Sequence, residues 1–390
     1  MPVAQLDRAL DSGSRGCGFK SRQAHQVKNE RGKMMNLVNL LNEKGLDTLL
    51  VLNFEGSNKP TTRFISGFSG SFSGVIFSKD KRIIVTDSRY WEQVKLESEF
   101  DLVKFKGDKK FLDLIVELLK DIKAKKVGIE KDKTSAKVME YLNNNLDGVE
   151  FIDVSQELLR LRAVKTDEEI ELIRKAIHIA EEAFKKTLEI VKVGMTEKEF
   201  AAYLEYQIKM LGGDKFSFDT IVASGWRGSL PHGIASEKAI EKGEPVVVDW
   251  GAFYKGYASD LTRVFCIGEP SEEVKKVHSV VYKAQEKAIE IARASLTGAE
   301  IDLAAREHIK NEGYGEYFGH SLGHGIGLEV HEEPRLSYLN SEKLPANSVV
   351  TVEPGIYLPN KFGIRIEDDI LLTESGCEVL SSLPRDIFIV

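Results

Sequence analysis

Cysteine is scarce in this chain. Its 390 residues hold three, Cys17, Cys266 and Cys377, with no CxxC pair. An odd, widely spaced set excludes a disulfide framework and reads as free thiols in a reducing compartment, so a cytoplasmic location is expected. Long hydrophobic runs are missing too: no stretch of eighteen apolar residues occurs, which leaves no candidate for a membrane-spanning helix. Nor is there an excess of positive charge. Lys and Arg number 54 against 61 Asp and Glu, a net −7, whereas a phosphate-binding surface needs clustered cations. Neither nucleic acid nor membrane is expected as a partner. What is present is an ordinary globular composition, 42% apolar and 29% charged, at a length beyond what one hydrophobic core serves, and it predicts two domains.

The first thirty-three residues stand apart, with seven Lys or Arg against three Asp or Glu and little apolar periodicity. They lack the amphipathic face of a targeting peptide. The run from Val3 to Arg22 resembles the conceptual translation of a transfer-RNA gene, so residues 1–33 are expected to be a disordered or spurious extension, with Met34 or Met35 the true start. From 36 to 160, short apolar runs (Asp47–Leu52, Gly74–Phe77, Arg82–Thr86, Lys126–Glu130) alternate with helical patterns over 35–44, 89–98, 110–123 and 134–145, which predicts an α/β domain. Ile65 to Gly74, rich in Gly and Ser, reads as a loop, either a plain connection or a substrate-contacting edge.

After residue 160 the style changes. Thr166-Asp-Glu-Glu169 and Thr196-Glu-Lys-Glu199 are capping boxes that open two helices, the first running to about Val191. Apolar strands follow up to Gly268. The order then repeats, with helices beginning near Ser271 and after Thr297 and strands to the end. Two helices and a hairpin, twice, indicate an internal duplication.

Acids inside apolar runs are the most informative residues. Asp249 ends Pro245-Val-Val-Val-Asp, Glu353 ends Val349-Val-Thr-Val-Glu, Glu367 follows Gly363-Ile-Arg-Ile, and Asp260 lies in Tyr257-Ala-Ser-Asp-Leu-Thr. An isolated buried carboxylate costs several kcal/mol unless a cation neutralises it. With Phe253–Gly256 as a turn, residues whose numbers sum to 509 oppose each other, and Asp249 faces Asp260. A second turn near Pro359–Lys361 brings Glu353 and Glu367 to nearly opposite positions. Like charges this close need a metal between them. Of eight histidines, three crowd into Gly319-His-Ser-Leu-Gly-His-Gly-Ile-Gly-Leu-Glu-Val-His331, and the glycines flanking His324 allow close backbone approach.

In this order and spacing, six segments resemble the creatinase/prolidase group of "pita-bread" metallopeptidases, in particular its Xaa-Pro aminopeptidases and Xaa-Pro dipeptidases. They are Leu230-Pro-His-Gly, Val248-Asp-Trp-Gly with Ser259-Asp-Leu-Thr-Arg, Gly319-His-Ser-Leu-Gly-His-Gly, Glu329-Val-His-Glu-Glu-Pro, Val352-Glu-Pro-Gly and Gly363-Ile-Arg-Ile-Glu-Asp. The likeness runs from about Met35 to Val390. It implies an α/β N-terminal domain over 36–160 and an α+β pita-bread catalytic domain over 161–390 with an internal pseudo-two-fold duplication. It also implies five ligands to two divalent ions: Asp260 and Glu367 bridging, Asp249 on one ion, His324 and Glu353 on the other. Oxygen-rich ligation with one imidazole favours Mn²⁺ or Co²⁺, with Zn²⁺ a further candidate. Glu353 is the expected proton shuttle. By resemblance His331 bonds the substrate carbonyl and its oxyanion, while His320 and His232 line the pocket beyond the scissile bond. Arg365, on the same strand face as Glu367, is expected to orient that carboxylate.

The activity implied is hydrolysis of the bond between an N-terminal residue and a following proline in a peptide or dipeptide, a tertiary amide with no N–H to bind. No motif separates an aminopeptidase from a dipeptidase; the Gly67-Phe-Ser-Gly-Ser loop points to the aminopeptidase, with the dipeptidase as alternative. The large N-terminal region argues against a methionine aminopeptidase, and the complete ligand set against a creatine hydrolase or a non-catalytic binding protein. Pairing through the N-terminal domain predicts a homodimer.

Overall fold

The structure, a computed structural model, describes residues 32–390. They form two compact units, one ending at Leu158 and the other spanning Leu159–Val390. Nearly all of the expected extension, residues 1–31, lies outside the described residues, and Gly32 and Lys33 already belong to helix α1 (32–44).

In the first unit the chain order is β1 (Thr48–Asn53), α2 (Lys59–Ser66), β2 (Ser73–Phe77), β3 (Arg82–Thr86), α3 (Trp91–Glu97), β4 (Asp101–Lys104), α4 (Phe111–Asp121), β5 (Lys126–Ile129), α5 (Ala136–Asn145) and β6 (Glu150–Asp153). The six strands make one mixed sheet ordered β4-β3-β2-β1-β5-β6. Antiparallel pairing of β1, β2 and β3 is flanked by parallel β3–β4 and β1–β5–β6. Leu50, Ile76, Val85 and Val127 of the sheet meet Ile115 and Leu119 of α4 and Leu142 of α5 in one core, each large apolar side chain contributing about 1.5–3 kcal/mol. The four expected strands and four expected helices are present. The Gly/Ser segment begins two residues later than expected: α2 holds Ile65 and Ser66 and ends where Gly67 takes a left-handed φ of 78°.

Helix α6 (Ser155–Ala163) leads into the second unit, where α7 (Asp167–Leu188) and α8 (Glu197–Met210) open on complete Thr166/Glu169 and Thr196/Glu199 capping boxes. Strands β7 (Lys215–Phe216), β8 (Ile221–Ser224), β9 (Pro245–Trp250), β10 (Ala252–Tyr254), β11 (Tyr257–Ala258) and β12 (Leu261–Cys266) follow. The second half repeats the plan with α9 (Glu272–Ile291), capped by Ser271, and α10 (Gly298–Asn311), capped by Thr297 and Glu300. Its strands are β13 (Gly323–Gly325), β14 (Glu332–Leu336), β15 (Val349–Val352), β16 (Gly355–Leu358), β17 (Phe362–Arg365), β18 (Asp368–Leu372), β19 (Cys377–Val379) and β20 (Phe388–Ile389).

The antiparallel β9–β12 pair lies inside a sheet ordered β20-β12-β9-β8, and the β15–β18 pair inside one ordered β14-β13-β15-β18-β19. A bridge between Thr262 and Glu367 joins the two halves. In the first half the fully buried Trp250 stacks on Phe184 of α7 at 4.4 Å and donates its indole N–H to the Ala180 carbonyl. In the second, Val277, Ala284 and Ile301 of α9 and α10 pack on Val350, Ile364 and Ile370.

The first hairpin corrects the expected register. Its turn is the two-residue Lys255-Gly256, both at positive φ, as a tight hairpin of matching twist requires. Opposing numbers therefore sum to 511: Asp249 pairs with Thr262, and Asp260 lies diagonally across from Asp249. The second hairpin turns over Pro359–Lys361 with Asn360 at a φ of 61°. Its register holds on both sides of Glu353 and Glu367, pairing Gly355 with Arg365 and Val352 with Asp368.

Candidate metal centre

The acids sit where strands end or break. Asp249 is the second-last residue of β9, Asp260 falls between β11 and β12, Glu353 follows β15, and Glu367 separates β17 from β18. At these points a side chain can turn into a cleft without opening a continuous ladder. His324 is the middle residue of β13, between two glycines that could carry no side chain. A Cβ on Gly323 would lie 2.0 Å from the Thr351 carbonyl oxygen, and one on Gly325 would lie 2.2 Å from that of Glu333. The glycines thus press His324 between β14 and β15.

All five side chains line one cavity of about 710 Å³. Asp260, His324 and Glu367 each offer a ligand atom within 4.8 Å of the others. His324 Nε2 lies 3.7 Å from Asp260 Oδ2 and 3.6 Å from Glu353 Oε1. Nδ1 of His324 donates to the Gly325 carbonyl at 3.0 Å, which leaves the Nε2 lone pair facing the acids, and burial holds this imidazole neutral with its pKa lowered to about 3.

The carboxylates cannot all be ionised as they stand. Burial first, then Glu367 and Asp249, push Asp260 well above the usual carboxylate range. Burial, then Glu353 and Asp249, do the same to Glu367. Glu353 rises to about 8 through burial, with Arg365 opposing and Asp249 adding to the rise. One oxygen each of Asp249 and Asp260 is buried without a hydrogen-bond partner. Crowded acids with orphaned oxygens beside a correctly turned imidazole fit divalent cations.

Arg365 differs from expectation. Its guanidinium pairs with Asp249 at 2.5 Å, and its hydrogen-bond route to Glu367 runs through Thr262, which accepts from Arg365 Nε at 3.1 Å and donates to Glu367 Oε2 at 2.7 Å. The register slip explains this, because pairing with Asp249 sets Thr262 between the two. Arg365 Nη1 also donates to the Tyr357 hydroxyl at 2.7 Å, and that hydroxyl meets His320 Nε2 at 3.0 Å. His320 Nδ1 is bonded to the Ser321 carbonyl, and burial, followed by Arg365, lowers its pKa to about 4. With both nitrogens engaged, His320 lines the cavity.

His331 lies beside His324 with ring centroids 4.3 Å apart and lines the cavity together with His232 and Pro231. Two further residues escaped the sequence reading. Arg335, on β14 two residues past Glu333, lines the same cavity and is, among the described residues, its one arginine besides Arg365. Arg306 of α10 pairs with Asp302 and donates to the carbonyls of Phe318 and His320, fixing the His320 loop. The Asp302/Arg306 spacing of four on a helix was a visible signal for the second; a lone surface-like arginine gave none for the first.

The model of metallopeptidase family M24 matches residues 171–374, and that of the creatinase/prolidase N-terminal domain matches 33–164. The chain is 41% identical to an Xaa-Pro dipeptidase of Pyrococcus furiosus over 91% of its own length and 99% of the relative's. Among solved structures it resembles an X-Pro aminopeptidase from Thermotoga maritima, with a TM-score of 0.85 and 49% identity over 89% of this chain and 98% of that one. An Xaa-Pro dipeptidase from Bacillus anthracis superposes with a TM-score of 0.88 at 39% identity, covering 93% of this chain and 100% of the other.

Proposed function

The chain belongs to metallopeptidase family M24 and is a metal-dependent, proline-specific peptidase of the pita-bread fold, and on that premise we propose that it is an Xaa-Pro dipeptidase. Arg335 carries this reading. A dipeptide ends in a free carboxylate directly after its proline, and a pocket that accepts it needs an unengaged cation within reach. Arg335 lines the cavity, and its charge reaches His324, His331 and Glu353. The dipeptidase relatives favour this over the aminopeptidase expected from the Gly67–Ser71 loop. The 49% identical aminopeptidase structure keeps the latter as the second reading.

In this proposal Asp249, Asp260, His324, Glu353 and Glu367 hold two divalent ions, Mn²⁺ or Co²⁺ by ligand type. Bound ions of this kind supply an acidified water and polarise the scissile carbonyl. The protein's own groups do the rest. Glu353, whose burial favours its protonated form, delivers a proton to the proline nitrogen, which must gain one to leave as a secondary amine. His331 donates to the carbonyl oxygen as charge develops. His320, Pro231 and Tyr357, which line the cavity, form the wall for the pyrrolidine. Arg365 fixes Asp249 directly and Glu367 through Thr262. The reading includes a homodimer and a cytoplasmic location, the latter supported by two free thiols, Cys266 and Cys377.

The test incubates Mn²⁺-loaded protein with Xaa-Pro and Xaa-Pro-Yaa peptides and identifies the products by mass. Cleavage of the dipeptide, with a KM raised by Arg335→Met, is expected. Preferential cleavage of the longer peptide would replace the dipeptidase with the aminopeptidase.

A further inference from the structure

Beneath the turn that carries His331 lies a set of buried charges that the proposed chemistry does not use. Glu332 is 3% exposed, Arg162 is 3% and Lys165 is 4%. Arg162 pairs with Glu332 and reaches Glu329 at 2.7 Å, while Lys165 Nζ lies 3.1 Å from the other Glu332 oxygen and donates to the Arg162 carbonyl at 2.8 Å. The same Glu332 carboxylate accepts the backbone N–H of Glu329 at 3.0 Å, closing the turn around Val330 and His331. Burial opposes ionisation of Glu332, yet Lys165 and Arg162 hold its carboxyl below the ordinary range.

Replacing buried ion networks by apolar side chains is often neutral or stabilising, so stability alone is a weak reason for this one; fixing a conformation is a stronger reason. The conformation here is that of four residues, 329–332, with His331 at the cavity and Glu332 turned to the opposite side. A turn displaced by about 1 Å would carry the imidazole off the substrate carbonyl.

We propose that Glu332, Arg162 and Lys165 act as positioning residues for His331, through an ionic clamp anchored at the end of α6 and in the segment that follows it. The inference rests on the proposed role of His331, and the two are tested apart. Metal-loaded Glu332→Gln and Lys165→Met should lose about 10- to 100-fold in kcat, the scale of a small misplacement. Amide exchange over 327–335 should accelerate while that of β15 and β18 stays unchanged. In a His331→Ala background the same substitutions should cause no further loss of kcat, because the clamp has nothing left to position. Additive losses in that background, or faster exchange with unaltered kcat, would overturn the proposal. Should Glu332→Gln fail to fold, Arg162→Lys takes its place in the cycle, keeping the charge and removing the fork. A His331→Ala enzyme with full turnover would instead overturn the reading of the pocket.

Discussion

Stripping the metal should leave a protein whose stability falls as pH rises through neutrality. The structure supplies the sign. Above pH 4.5 an unfolded glutamate has released its proton, while Glu353 in the folded chain keeps it up to about 8. The folded state therefore binds more protons across that window, so stability is greatest below it and declines toward pH 8. At about 1.4 kcal/mol per pH unit, the full displacement of Glu353 corresponds to roughly 5 kcal/mol. Its side chain is 18% exposed to the cavity, and screening there brings the working range to about 2–5 kcal/mol. Asp260 and Glu367 are pushed the same way, and the three titrate together because protonating one relieves the others. For a unit of this size the expected fall in melting temperature is on the order of 5–15 °C between pH 5 and 8. Chelator-treated protein, dialysed and melted at each pH, gives the measurement, with Mn²⁺-loaded protein alongside. The loaded form should gain on the stripped one as pH rises, since ligands must deprotonate to bind. A stripped protein whose melting temperature is flat or rises from pH 5 to 8 would refute the reasoning, as would a Glu353→Gln variant with the same slope.

Other outcomes follow from single contacts. Glu353→Gln should keep the fold and lose about two to four orders of magnitude in kcat, the scale of a lost general base; steady-state assay with circular dichroism checks both. Arg365→Met leaves Asp249 buried without its cation, and denaturant titration of stripped protein should register about 3–5 kcal/mol less stability. Thr262→Val breaks the relay from Arg365 to Glu367, so metal affinity measured by calorimetry should weaken about 10- to 100-fold. Gly323→Ala would set a Cβ 2.0 Å from a backbone oxygen, and expression should yield little folded protein.

Much of the site was legible because its signals are local. An acid ending a run of valines is a conflict visible in a few residues, and the Thr166, Thr196 and Thr297 boxes need only four positions each. What failed depended on distant partners or one-residue details. The first hairpin was misread because its turn occupies Lys255 and Gly256 alone, and a lysine at positive φ has no strong sequence mark. That slip of one position hid Thr262, and the pairing of Arg365 with Asp249 joins residues 116 positions apart. Strands β4 and β6 were unforeseen because they are short, half-exposed edges of their sheet. Helix α2 was obscured by Pro60, which suits a first turn, and by the glycine and serine that follow. Arg335 and the Glu332 clamp need three dimensions, since Arg162 and Glu332 stand 170 positions apart.

The bridge between Thr262 and Glu367 lies on the seam of a molecule made of two similar halves. Asp249 and Asp260 come from the earlier half, His324, Glu353 and Glu367 from the later. Under the proposed ligation neither fragment alone would carry a full coordination sphere, so cation capture would be a late event in assembly that reports docking of the two. Separate polypeptides divided near Gly268 would each be metal-poor, and uptake on mixing would measure how well the seam reforms.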